Sequence, residues 1–175
     1  MRKSNVKQTA VTALFAALST VLLLLGSLSE TLSLSAAAVA SFPVLLLVCE
    51  YGTGWAAAAY ASSALLALML APLKEGALEF ACFFGVFPIL KHFAETKRKP
   101  ISLLIKGAAL LLSCAAFILS SFLFFSEDIS FLKTIYYYIL PPVTVLAFFL
   151  YDRCLTLLLR LYKAKIRSRI IRFLR

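Results

Sequence analysis

The chain has 175 residues, of which 62% are hydrophobic and 15% charged, and its formal net charge is +10. A soluble domain is roughly 45–50% apolar, so this composition excludes an ordinary water-soluble fold. The long continuous apolar runs also exclude a transmembrane β-barrel, whose strands alternate. Because Lys and Arg flank the apolar runs, their excess is typical of cytoplasmic loops rather than of nucleic-acid binding. We predict an all-α integral membrane protein.

Six apolar runs are long enough to cross a bilayer, which takes about 20 residues in a helix. The first run is longer than the apolar part of a signal peptide, and further runs follow it, so we predict that it stays as a span. The predicted spans are Thr9–Ser27, Ser35–Cys49, Trp55–Ala71, Ala77–Phe93, Ile101–Phe125 and a sixth from Phe131 to between Tyr151 and Tyr162.

The basic residues predict the orientation. They cluster in the N-terminal segment, in the loop after the fourth span and at the C-terminus. With six spans these three segments share one face, which the positive-inside rule makes cytoplasmic. We therefore predict a multi-pass protein of the cell membrane with both termini in the cytoplasm. The opposite loops hold Glu30, the Lys74–Glu75 pair and Glu127, and are mildly acidic.

Pro141 and Pro142 interrupt the sixth run, and each removes a backbone donor. One alternative is a helix restart, with a separate short helix over 130–140 and with Asp152 and Arg153 deep in the membrane. The other is a kinked helix, with those two residues at the inner headgroups. A central charge costs about 2.5–3.5 kcal/mol, so the kinked helix is favoured.

The last residues form a basic amphipathic segment. Ile166, Ile170, Ile171 and Leu174 can share one helical face, with Lys and Arg around the rest. Such a helix would lie on anionic lipid, although the same charges also serve as a topology anchor. We expect a transmembrane domain over residues 1–162 and this cytoplasmic tail over 163–175.

Residue patterns of known enzymes are missing. His92 is the only histidine, and there is no GxSxG, HExxH or P-loop motif. The four cysteines form no CxxC pair. We therefore predict no enzyme activity, no cofactor and no metal site.

Charged residues in or near the spans are the candidates for function, because ionisable groups are costly in a bilayer. Glu79 lies near the start of the fourth span, where a carboxylate either binds a ligand or simply favours the helix dipole. Glu50 is expected at a solvated helix end. Lys91 flanks the basic loop and is expected to pair with Glu95 one turn later.

Two further patterns indicate contacts. Ala13 and Ala17 form a small-xxx-small motif in the first span, which lets another helix approach closely. The run Tyr136, Tyr137 and Tyr138 near the start of the sixth span is typical of an aromatic belt at the headgroups. The same tyrosines could also line an outer pocket.

Six helices in under 200 residues, a basic start running into ALFAALSTVLLLL, and AxxxA in the first span resemble the substrate-binding S component of energy-coupling factor (ECF) transporters. In that family the alanine face of the first helix docks on a coupling subunit, and the substrate sits near the outer face. The segment LLALMLAPLKEGALEFACFFGVFPILKHFAE is similar to one in a group of six-helix Firmicutes membrane proteins with no assigned substrate. The shared features are Lys74, Phe83-Phe84-Gly85, Pro88, Lys91 and Glu95.

The resemblance implies an S-component-like bundle that captures a small molecule and relies on partner ATPases. Docking on a coupling subunit would use Ala13 and Ala17. The acidic outer face mildly favours a cationic or zwitterionic substrate. The alternative function is a non-transporting membrane scaffold or assembly factor that acts through its small-residue faces and basic tail. The expected pocket residues are Glu30, Lys74, Glu79, Glu127, Tyr136 and Tyr137.

Overall fold

A computed structural model of the chain describes residues 2–96, 107–115, 130–162 and 164. These residues form helices and contain no strand. The chain divides into two compact units, residues 1–129 and 130–175. The helices are α1 (Arg2–Gly26), α2 (Glu30–Tyr51), α3 (Thr53–Leu70), α4 (Glu75–Glu79), α5 (Phe87–Thr96), α6 (107–115) and α7 (Ser130–Leu161), with a π-helical turn at Phe80–Phe84 between α4 and α5.

Within the described residues, five helical stretches are long and apolar enough to cross a membrane. The predicted all-α fold is therefore confirmed for the described residues, and the five stretches support a multi-pass membrane protein. The fifth predicted span, 101–125, lies mostly outside the described residues, where only α6 represents it, so the count of six and the S-component-like arrangement stay predictions. The five stretches are Val6–Gly26, Thr31–Tyr51, Thr53–Leu70, Glu75–Ala94 and Pro142–Leu161.

Short connections make α1, α2 and α3 successive antiparallel neighbours. Only three residues separate α1 from α2, and Ser29 before α2 has extended backbone at φ −140° and ψ 127°. Gly52 alone joins α2 to α3, with φ +89°, a conformation that glycine adopts without the steric cost of a Cβ. Its N–H donates to the Leu47 carbonyl at 3.2 Å, which closes the end of α2.

Small residues allow α1 and α2 to pack closely. A Cβ on Gly26 would stand 2.1 Å from the Ala36 Cβ, so only glycine fits there. Ser19 Oγ donates to the Ala40 carbonyl at 3.0 Å, across the two helices. Large apolar side chains such as Leu14 and Leu25 are exposed instead, which suits lipid contact.

The second unit begins with α7, a helix of 32 residues that runs unbroken through Pro141 and Pro142. The predicted alternative of a helix restart is therefore wrong. Proline has a backbone φ compatible with a helix, and each one removes a single backbone bond. At 1.5 Å per residue α7 is about 48 Å long, more than the roughly 30 Å hydrocarbon core. The depth of Asp152 and Arg153 in a membrane stays a prediction.

Candidate functional site

The fourth membrane-length stretch, Glu75–Ala94, is not a continuous α-helix. After α4 it passes through the π-helical turn, and there the Gly85 N–H donates to the Phe80 carbonyl five residues earlier, at 2.8 Å. Pro88 follows as the second residue of α5 and has no N–H for the carbonyl of Phe84, so regular α-helical bonding is already one hydrogen bond short at the end of the turn. Single π turns inside α-helices are frequent at functional sites.

Tyr60 of α3 packs into this turn. Its hydroxyl donates to the Ala81 carbonyl at 2.5 Å, and its ring centroid lies 6.0 Å from that of Phe80. A Cβ on Gly85 would stand 2.4 Å from the Tyr60 ring. Glycine at position 85 thus leaves the space that the tyrosine occupies, and α3 and the π turn interlock.

Two charged side chains of the fourth stretch are buried in the protein. Glu79 and Lys91 are each only 2% exposed, one before the π turn and one after it. In a regular helix each residue turns the side-chain direction by about 100° around the axis. Twelve residues make about three full turns plus 120°, so Glu79 and Lys91 would point about 120° apart. The extra residue of the π turn removes about 100° of this. It therefore brings both charges to within about 20° of each other, on one buried face.

The start of this stretch is held tightly against α2. A Cβ on Gly76 would stand 2.7 Å from the Ser33 carbonyl oxygen, so glycine is needed for the approach. Glu79 follows Gly76 by about one turn. It precedes Cys82 of the π turn by three residues, about one helical turn. Farther along, Phe83 packs on Phe84 and Phe87, with ring centroids 5.0 and 5.3 Å apart.

Only two residues of the predicted pocket, Lys74 and Glu79, have side chains that the structure describes. Glu79 is buried, whereas Lys74 is exposed just before α4. Glu30 is the first residue of α2, but its side chain lies outside the described residues, as does all of Glu127. Tyr136 and Tyr137 belong to α7, and their side chains are likewise outside the described part. The pocket as a whole therefore stays a prediction.

The predicted docking residues Ala13 and Ala17 are both exposed on α1. The neighbouring positions Thr12, Ala16 and Ser19 are buried and contribute to the bundle. The alanines are therefore not used in packing between α1 and its described neighbours, and they remain accessible to another helix.

The sequence analysis does not predict that the side chain of Lys91 is buried. Its burial follows from the helix phase, because Phe87, Lys91 and Ala94 are all buried on one face of α5. The pairing with Glu95 stays a prediction, since the Glu95 side chain is outside the described residues. Sequence reasoning also missed Tyr60. The one feature of the sequence that marks it is its position as a polar aromatic residue within the alanine-rich α3.

Comparisons of the chain with protein-family models, with curated proteins and with solved structures give no match. Among the residues that the structure describes, no three His, Cys, Asp or Glu side chains are grouped so that they could hold a metal ion. The candidate site is therefore defined by its own geometry: a buried carboxylate, a buried ammonium group and the π turn between them.

Proposed function

We propose that this protein is the substrate-binding subunit of a small-molecule importer, similar to an ECF S component and without an ATPase of its own. The observation that carries the proposal is the burial of Glu79 near the start of the fourth membrane-length stretch. A charged group inside a membrane bundle is costly, and such groups commonly mark substrate or ion pathways.

The orientation is part of the proposal. The positive-inside rule places the N-terminus and the basic segments in the cytoplasm of a cell-membrane protein. The end of the bundle that holds Lys74 then faces outward, and Glu79 lies roughly one turn inside that face. A carboxylate at this depth would select a substrate with a cationic or zwitterionic group.

The partner proposal rests on α1. Its exposed alanines Ala13 and Ala17 leave a shallow surface on which a coupling subunit could pack closely. Energy for import would then come from ATPases bound to that subunit. The basic tail would add contacts with anionic lipid at the same membrane face.

A gentle-detergent pull-down from native membranes, followed by mass spectrometry, tests the partner proposal. We expect a coupling subunit and ATPases with the unmodified chain, and their loss with Ala13→Leu and Ala17→Leu. Leu18→Phe, which adds bulk at an exposed position of α1 about 100° or more around the helix from both alanines, is the matched control and should retain them. Recovery of unrelated membrane proteins, lost on removal of residues 163–175, would instead support the scaffold function.

Ligand binding tests the role of Glu79. The purified protein would be screened with amino acids, water-soluble amines and divalent cations for a rise in melting temperature, because a ligand at 100 times its Kd stabilises by about 2.7 kcal/mol. Glu79→Gln should abolish the rise, and Glu75→Gln, on the half-buried first residue of α4, should retain it. An unchanged rise in Glu79→Gln would contradict the pocket assignment.

A further inference from the structure

The π turn determines which face of the fourth stretch carries Glu79. In the observed register Glu79 and Lys91 share a buried face, as the helix geometry above requires. If the turn returned to α geometry while α5 stayed in place, every residue of α4 would rotate by about 100°. Glu79 would then take the direction now held by Leu78, which is half-buried, and Leu78 would take that of Ala77, which is buried.

Two contacts hold the observed register. The Tyr60 hydroxyl donates to Ala81 within the π turn, at a carbonyl that lies outside regular α-helical geometry. Gly76 meets the Ser33 backbone where no Cβ fits. In the α register Ala77 would come to the place of Gly76, and its methyl group would require α2 and α4 to separate. The register of the π turn is therefore coupled to the distance between these two helices.

We propose that the π turn is a two-register switch latched by Tyr60, which turns Glu79 out of the buried face when α2 and α4 move apart. In the closed register Glu79 is buried and α4 lies tightly on α2. In the open register the turn is α-helical, Glu79 is half-exposed and the helices are separated at the Lys74 end. The device goes beyond substrate capture, since it operates whatever the protein binds.

The test measures thiol reactivity at two neighbouring positions. Glu79→Cys and Leu78→Cys are made separately in a chain whose four native cysteines are replaced by serine. Each protein is reconstituted in liposomes, and its reaction rate with N-ethylmaleimide is followed by mass spectrometry. Each reporter is combined with Tyr60→Phe, which removes only the latching hydroxyl, and with Gly76→Ala, which strains the closed register. Tyr51→Phe is the control.

We expect Tyr60→Phe to raise the rate at position 79 about fivefold, as the loss of one partly buried hydrogen bond shifts a two-state equilibrium, and to lower the rate at position 78. Gly76→Ala should act in the same direction, and Tyr51→Phe should change neither rate. Rates that rise together at both positions would indicate loosening without rotation and would overturn the proposal. Unchanged rates in Tyr60→Phe would overturn it as well, even if Gly76→Ala failed to fold.

Discussion

The frame of α1, α2 and α3 and the fourth membrane-length stretch are built on opposite principles. The frame consists of uninterrupted helices that approach through small residues, with buried alanines such as Ala37, Ala40 and Ala59. The fourth stretch is broken by a π turn and buries Glu79 and Lys91. Close contacts between small side chains stabilise the frame and leave no room for a buried charged side chain. The interrupted stretch instead holds two ionisable groups in a defined direction. We infer that the frame is structural and the fourth stretch is functional.

One-residue deletions give the largest expected difference between the two regions. Removing Ala61, which is exposed on α3, rotates the first half of that helix by about 100° relative to the second. Tyr60 and Ala59 are thereby displaced, and we expect a loss of about 4 kcal/mol or more. Removing Ala81 merely converts the π turn into a regular α-helix and keeps Glu79 and Lys91 aligned. We expect that deletion to cost about 1 kcal/mol, the value of the lost Tyr60 hydrogen bond.

Melting temperature in detergent, followed by size-exclusion chromatography, distinguishes these deletions. If both deletions lowered the stability by a similar amount, the fourth stretch would be as regular a helix as those of the frame. A stable protein lacking Ala61 would contradict the assigned packing of α3.

A glycine substitution within the frame has the next largest effect. Gly26→Ala places a methyl group on that of Ala36, and we expect overpacking to cost about 1–3 kcal/mol. Gly54→Ala is the matched control, because a Cβ there meets nothing within 4 Å and alanine favours a helix by about 0.5–1 kcal/mol. Thermal unfolding should rank Gly54→Ala at or above the unmodified protein and Gly26→Ala below it. The reverse order would contradict the close packing of α1 on α2.

The smallest expected effect concerns a single polar contact of the frame. Ser19→Ala removes the hydrogen bond to the Ala40 carbonyl, and interhelical bonds in membranes average about 0.6 kcal/mol. Ser62→Ala is the control, since the exposed Ser62 hydroxyl bonds only to carbonyls of its own helix. When the unfolding free energies of the two single variants are compared with that of the unmodified protein, only Ser19→Ala should show a decrease. An equal loss for both serines would mean that the bond joining α1 to α2 adds nothing.

The difference between the regions also explains what the sequence could predict. Apolar runs and short polar connections predict α1, α2 and α3, because each run has the length that a bilayer requires. The alignment of Glu79 with Lys91 escapes this reasoning, since it depends on the one-residue phase shift at the π turn. The π turn is in turn contacted by Tyr60, which lies 21 residues before Ala81. Helical periodicity within one segment carries no information about such a distant contact.

The phase shift at the π turn is tested most directly by a cysteine scan through positions 75–94 in liposomes, with the reaction rate of each thiol as the readout. We expect two α-helical periodicities, over 75–79 and 87–94, offset by about 100° across the π turn. Glu79→Cys and Lys91→Cys should both fall at minima of reactivity. A single unbroken period of 3.6 residues through all twenty positions, with positions 79 and 91 on different faces, would contradict this phase shift.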